Sequence, residues 1–182
     1  MYVKDIILKS CDFIGDEELY EEIVSQSLTE ENQKNVERLV KYFNLIRDEI
    51  AREYQPQLEV EKFVVKKFKL EFSSFAKQPI EIYSIKDRFG RNVNYKIFDG
   101  YIFVCGKEVE VIYSTTPEEL TFEGEFNSSL PERLFAYGIA REYFFLNGQY
   151  DDANIWEGRF KGALQILLRR KSEVKTPRRR WI

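Results

Sequence analysis

The sequence predicts an α+β fold: a helical bundle made by the two ends of the chain, an antiparallel β-meander inserted between them, and an extended C-terminal arm. Three observations predict it. Apolar residues recur at helical spacing near both ends. From about Leu58 to Ser114 the pattern changes to β formers separated by turn signals. From Ser172 onward, in SEVKTPRRRWI, no apolar face remains. Both helical blocks are amphipathic, so each needs a partner, and packing them together leaves the sheet to project. The expected boundaries are 1–57 with 128–171 for the bundle, 58–114 for the sheet, 115–127 for a crossover and 172–182 for the arm.

The first helix follows from Val3, Ile6, Ile7, Cys11 and Ile14, which repeat at helical spacing and stop at Gly15. Asp16 can cap a short second helix with Leu19, Tyr20, Ile23 and Val24 as its inner face. Ser27 or Thr29 opens the third, with Glu30 and Glu31 in its first turn. Val36, Leu39, Val40, Phe43, Ile46, Ile50 and Tyr54 then trace a stripe up to Pro56.

Phe63–Phe72 reads as a strand with Lys66, Lys67 and Lys69 partly exposed. IEIYSIK (80–86) follows Pro79, DRFGR makes a turn, and NVNYKIF (92–98) leads into the hairpin signal Asp99-Gly100. Tyr101–Cys105 returns, Gly106-Lys107 turns again, and Glu108–Ser114 closes an antiparallel meander of four or five strands. Beyond the aperiodic crossover, residues 130–171 read as two helices folded back on one another. Ser128 or Ser129 can cap the first, Pro131 suits its opening turn, and Asn147-Gly148 supplies a left-handed stop. Asp151 and Asp152 favour the positive end of the second, whose inner stripe is Trp156, Phe160, Ala163, Leu164 and Leu167.

A chain of 182 residues, 43% hydrophobic, suits one domain, or one domain with an appendage, and argues against disorder. No apolar run is long enough to cross a bilayer, and Lys4, Asp5 and Lys9 break any signal-peptide shape, so the expectation is a soluble, unsecreted protein without membrane contact. Histidine is absent, which removes the commonest general base and metal ligand together. Two distant cysteines, Cys11 and Cys105, make neither a disulfide framework nor a metal motif and read as small buried hydrophobes. The phosphate-binding glycine loops, the nucleophile elbow and zinc spacings are all missing.

Taken singly, the polar candidates read as structural. Asp87 and Asp99 sit in turns where aspartate bonds its own backbone, and Asp151 and Asp152 sit where a helix starts. Trp156 and Phe160 belong to an inner stripe, with Arg159 between them solvated. Arg141 and Glu142, beside an aromatic helix face, call for an internal salt bridge. The reading is therefore of a protein that is not an enzyme, with no cofactor and no metal. A hydrolase or nuclease using clustered carboxylates is a third possibility that no residue recommends.

Charge is distributed unevenly. Within the net charge of −3, residues 161–182 carry eight Lys and Arg against one Glu, a net of +7, so the remainder sums to −10, and residues 1–61 alone have seven against fifteen, a net of −8. A surface with two signs can meet a copy of itself, an acidic partner or nucleic acid. The arm is the least ordinary feature: Lys175, Arg178, Arg179 and Arg180 precede Trp181 and Ile182. A basic run ending in an aromatic-aliphatic pair resembles a docking anchor more than a solvating tail. The competing use is nucleic acid, where three or four phosphate contacts would give a modest, salt-dependent affinity without sequence preference.

Four stretches resemble the head–tail adaptor (connector) proteins of tailed bacteriophages, the group that includes the tail tubular protein A of short-tailed phages. They are VKDIILKSCDFIG with SLTEENQKNVERLVKYFNLI, then VEVIYSTTPEELTF, then SLPERLFAYGIAREYFFLNGQYDDANIWEGRFKGALQIL, and finally PRRRWI. The likeness covers nearly the whole chain and is weakest in the β insertion. It implies a structural virion protein at the head–tail neck, assembled in the host cytoplasm. Generally twelve copies form a ring below the portal protein, continue the channel for genomic DNA without sequence-specific contact, and offer tail or neck proteins an attachment surface. Lys175, Arg178, Arg179, Arg180, Trp181 and Ile182 would then dock on the portal or on a neighbouring copy. The alternative is a non-catalytic nucleic-acid-binding module that uses the basic C-terminal tail.

Overall fold

The computed structural model describes residues 1–171, and in them the chain is α+β. The helices are α1 (Val3–Ile14), α2 (Glu17–Ser25), α3 (Glu30–Glu49), α4 (Glu132–Leu146) and α5 (Tyr150–Lys171). The strands are β1 (Gln57–Val64), β2 (Lys69–Glu71), β3 (Pro79–Asp87), β4 (Tyr95–Phe98), β5 (Tyr101–Val104) and β6 (Glu108–Thr115). Contacts divide the described residues into two compact units, Met1–Arg47 with 119–171, and Asp48–Glu118.

In the helical unit the local stop signals act where they stand. Gly15 takes a left-handed φ of 74° after α1, and the Asp16 side chain accepts the Leu19 N–H at 3.0 Å to cap α2. After α4, Gly148 (φ 76°) donates to Phe145 O at 3.1 Å while Gln149 donates to Phe144 O at 2.9 Å, a Schellman closure of the helix end. The start of α4 differs from expectation. Ser128 Oγ accepts the N–H of Leu130 at 3.0 Å, ahead of the helix, and Pro131 occupies the cap position without any side-chain cap bond. Proline at the cap position has no side-chain acceptor to offer the first turn, and its ring fixes the entering φ, while the Ser128 hydroxyl serves the preceding segment.

Helix α1 packs along α4 and α4 along α5. Buried Val3, Ile6, Ile7 and Cys11 of α1 belong to the same unit's core as Val36, Leu39, Phe43 and Ile46 of α3 and Leu134, Phe135, Ile139 and Ala140 of α4. Helices α3 and α4 approach closely at Gly138, where an added Cβ would lie 2.8 Å from the Ile46 side chain. The crossover is pinned at two points. Asn44 donates to Leu120 O at 2.9 Å and accepts Leu120 N–H at 3.0 Å, and Val3 N–H and Met1 O bond Gly124 O and Phe126 N–H. Helix α3 does not run intact to Pro56. It gives way at Ile50–Tyr54 to a π turn that closes with Gln55 N–H donating to Ile50 O at 2.7 Å.

The sheet unit keeps the expected antiparallel pairing but not the meander. One sheet has the order β1-β6-β3 and the other β2-β5-β4, so β4–β5 is the paired hairpin of sequence neighbours. The expected strand Phe63–Phe72 is split between the two sheets, because Lys67 and Phe68 take φ values of 53° and 60° and reverse the chain. Strand β6 lies at the centre of its sheet for a physical reason: its alternate residues Val109, Val111 and Tyr113 are buried, and a central strand must be apolar on its inner face. They share one core with Ile82 and Ile85 of β3, Leu70 of β2 and Ile102 and Val104 of β5, so the two small sheets close over each other.

Strand β1 is inverted relative to simple hydrophobic patterning. Leu58, Val60 and Val64 are exposed while Glu59, Glu61 and Phe63 are half-buried. Those inward carboxylates have partners. Glu61 accepts the Tyr113 hydroxyl and the Ala76 N–H, and Glu59 pairs with Lys77 at 3.1 Å. Burial, then the neighbouring Glu61 carboxylate, push the Tyr113 phenol far above its ordinary pKa, which keeps it a donor to Glu61.

Candidate functional site

The expected docking residues Lys175, Arg178, Arg179, Arg180, Trp181 and Ile182, with the rest of the expected arm 172–182, lie outside the described residues. The other sequence candidates fall into place as structural groups. Asp87 Oδ1 accepts the N–H groups of Phe89 (2.8 Å) and Arg91 (3.0 Å), and Oδ2 meets the Arg91 guanidinium at 2.8 Å. The Arg91 backbone bond leads the effects that hold its carboxyl below the ordinary range, as a turn aspartate requires. Asp151 and Asp152 stand in the first turn of α5. Among the described residues no three His, Cys, Asp or Glu side chains are placed to hold a metal ion.

The seam of α4 and α5 carries the ion pair that Arg141 and Glu142 called for. Arg141 donates to Glu142 Oε1 at 2.7 and 2.9 Å and to Glu157 Oε2 at 2.9 Å, with Lys161 also 2.6 Å from Glu157. The guanidinium lies over the Phe160 ring, 5.0 Å from its centroid. Burial opposes the charge on Glu157, but hydrogen bonds from Lys161 and Arg141 outweigh it and leave its pKa below the ordinary value. Trp156 stacks on Phe13 of α1 at 5.0 Å and lies 5.6 Å from Tyr137, so it is a packing residue. Arg159 is not simply solvated, since it covers the Trp156 ring at 4.4 Å.

The two cysteines differ. Cys11 is buried, and desolvation pushes its thiol up to about 12. Cys105, expected to be buried, is exposed. Strand β5 points Ile102 and Val104 inward, so the next residue faces out and enters the turn to β6.

One surface of the sheet unit was only partly visible in the sequence. On the outer face of β2-β5-β4, register places Phe103 between Lys69 and Lys96, and Tyr101 between Glu71 and Phe98. Leu70 and Ile102 point the opposite way, into the core. Phe68, at the tip of the turn before β2, packs on Phe103 at 6.0 Å; Phe98 stacks on Tyr101 at 5.1 Å; Lys69 Nζ lies 4.6 Å over the Tyr101 ring. Phe68, Phe98 and Phe103 remain 56%, 45% and 37% exposed. The available signal was Lys66-Lys67-Phe68-Lys69 followed by rings on alternate residues of Tyr101–Phe103. It does not resolve into a surface until the register is known.

A second groove, of about 450 Å3, lies beside β6 and is lined by Lys62, Val64, Arg88, Glu108 and Glu110 among others. Its charges are of both signs, and Lys62 is 3.9 Å from Glu110. The sequence matches no protein-family model and no curated protein.

Proposed function

We propose that this chain is a structural head–tail adaptor: copies assemble in a ring below a portal protein, continue the DNA channel, and give the tail its attachment surface. The observation that carries the reading is the fate of the stretch SLPERLFAYGIAREYFFLNGQYDDANIWEGRFKGALQIL, the longest of those that resemble the adaptor family. It makes the hairpin α4–α5, and the other helical stretch of the resemblance supplies α1, which packs on α4. A ring needs heterologous contacts, in which one face of each copy meets a different face of the next. In this reading the acidic front, net −8 over 1–61, and the basic end, net +7 over 161–182, would supply two such faces. In this reading Lys175, Arg178, Arg179, Arg180, Trp181 and Ile182 dock on the portal or a neighbour, tail or neck proteins meet the sheet unit, and no catalysis is involved.

The test is co-sedimentation of the full chain, and of a chain ending at Lys171, with assembled portal rings. The full chain is expected to travel with the portal and the shortened one to remain behind. Equal binding by both would remove the arm from the proposal, and no binding by either would remove the adaptor reading. The second reading, a nucleic-acid-binding module, is favoured by one observation outside the arm, the lysine-flanked rings on β2-β5-β4.

A further inference from the structure

We infer that the outer face of β2-β5-β4 is a binding site for single-stranded nucleic acid, with Phe68, Phe103, Phe98 and Tyr101 as the stacking platform and Lys66, Lys67, Lys69 and Lys96 as the phosphate contacts. The site lies wholly within the sheet unit and is independent of the ring reading. Its central row is Lys69–Phe103–Lys96, three residues directly opposite one another on adjacent strands. Strands sit about 4.8 Å apart, so the Cα atoms of Lys69 and Lys96 stand on the order of 10 Å apart across Phe103, and the Lys69 ammonium reaches over the neighbouring Tyr101 ring. The next row is Glu71–Tyr101–Phe98, whose two rings stack and whose carboxylate lies at the far edge from Lys96. An extended strand lying across such a sheet can place bases on the rings and phosphates beside the lysines, the arrangement by which sheet surfaces hold unpaired bases.

Two further features bear on this face. In the same unit the cations Lys62, Lys77, Arg52 and Arg91 have carboxylate partners. Lys66, Lys67, Lys69 and Lys96 have none among the described residues, as is also true of Lys86, Arg88 and Lys107, but these four gather around exposed rings, where their charge is open to an incoming anion. The turn that presents Phe68 is also strained: Lys67 and Phe68 both adopt left-handed φ, where hairpins ordinarily place Asn or Gly. A bulky residue held there with its ring half in solvent marks a functional constraint. A protein partner fits less well, because lysine is depleted at protein interfaces, whereas rings and unpaired cations together are what a single strand requires.

Fluorescence anisotropy of the full chain with labelled oligo(dT) of about 15 nucleotides tests this. The expected result is binding whose log affinity falls with log salt at a slope of about −2 to −3, from three or four phosphate contacts. Phe103→Ala should weaken it about tenfold at unchanged slope, and Lys69→Ala with Lys96→Ala should flatten the slope by about 1.4. Thermal melting of each variant checks the fold, and Phe103→Trp, which retains a stacking ring, should retain affinity. Absence of binding would overturn the inference. So would binding that all these variants leave unchanged, which would assign it to the basic tail. A duplex of equal length held as tightly, or variants that alter self-association alone, would overturn it as well.

Discussion

In the helical unit two aromatic clusters close inward, Phe43 against Phe126 and Phe135 at 5.3 and 5.7 Å, and Phe13 with Tyr137 and Trp156, while Tyr2, Tyr20, Phe145 and Tyr150 stay exposed singly or in pairs. In the sheet unit the core is closed with Val, Ile and Leu plus Phe75 and Tyr113, while Phe68, Phe98 and Phe103 stand outside it. Ion pairs occur in both units: Arg141, Glu142 and Glu157 are held in the α4–α5 seam, and Lys77 with Glu59 and Arg91 with Asp87 in the sheet unit. What distinguishes the sheet unit is one sheet face on which exposed rings and lysines without carboxylate partners stand in register.

The largest expected contrast is between two phenylalanines. Phe43→Ala removes a ring with 0% exposure and should cost about 3–5 kcal/mol, read from urea denaturation. Phe103→Ala should cost about 1 kcal/mol or less, since its ring already faces water. Equal losses would mean that the exposed rings belong to the core after all. Glycine substitutions sharpen the same contrast inside the helical unit. Gly138→Ala forces a Cβ into Ile46, which is itself fully buried, and should destabilise by about 1–3 kcal/mol. Gly158→Ala meets nothing within 4 Å and should stabilise by about 0.5–1 kcal/mol, because alanine restricts the unfolded chain.

Arg141→Met leaves Glu142 and Glu157 facing one another across a half-buried seam, and a loss of about 1–2 kcal/mol is expected after allowance for solvent. The pH dependence has a defined sign. The folded-state pKa of Glu157 is depressed, so its contribution is present above the ordinary glutamate value of 4.5 and is lost as pH falls through the folded value. A parent chain that weakens in acid more than Arg141→Met does would agree; parallel acid profiles would not. The smallest effect concerns the thiols. A thiol reagent at neutral pH should label Cys105 rapidly and Cys11 only on unfolding, giving one modified site per folded chain by mass spectrometry.

The end of α1, the start of α2 and the end of α4 were legible because their signals are local: Gly15, Asp16 and Asn147-Gly148 act within a turn of where they stand, whereas the cap of α4 and the π turn that ends α3 were not. Strand order was not, because the partner of β1 is β6, some fifty residues away, and no local residue announces it. Alternation in β1 misleads outright, since Glu59 and Glu61 point inward on the strength of Lys77, Tyr113 and Ala76, partners visible in the folded chain alone. The Lys67–Phe68 reversal lacks the Asn or Gly that usually marks such a turn, so one expected strand became two. With that split undetected, the lysine-flanked rings could not be seen as one face. The expected arm, the other half of the sequence argument, falls beyond Lys171.

Electron cryomicroscopy of the full chain assembled with a portal ring tests the adaptor proposal most directly. The account predicts a closed ring of copies beneath the portal, coaxial with its channel and lost when residues 172–182 are removed. A portal that stays bare at saturating chain, or copies bound in no common orientation about its axis, would contradict it.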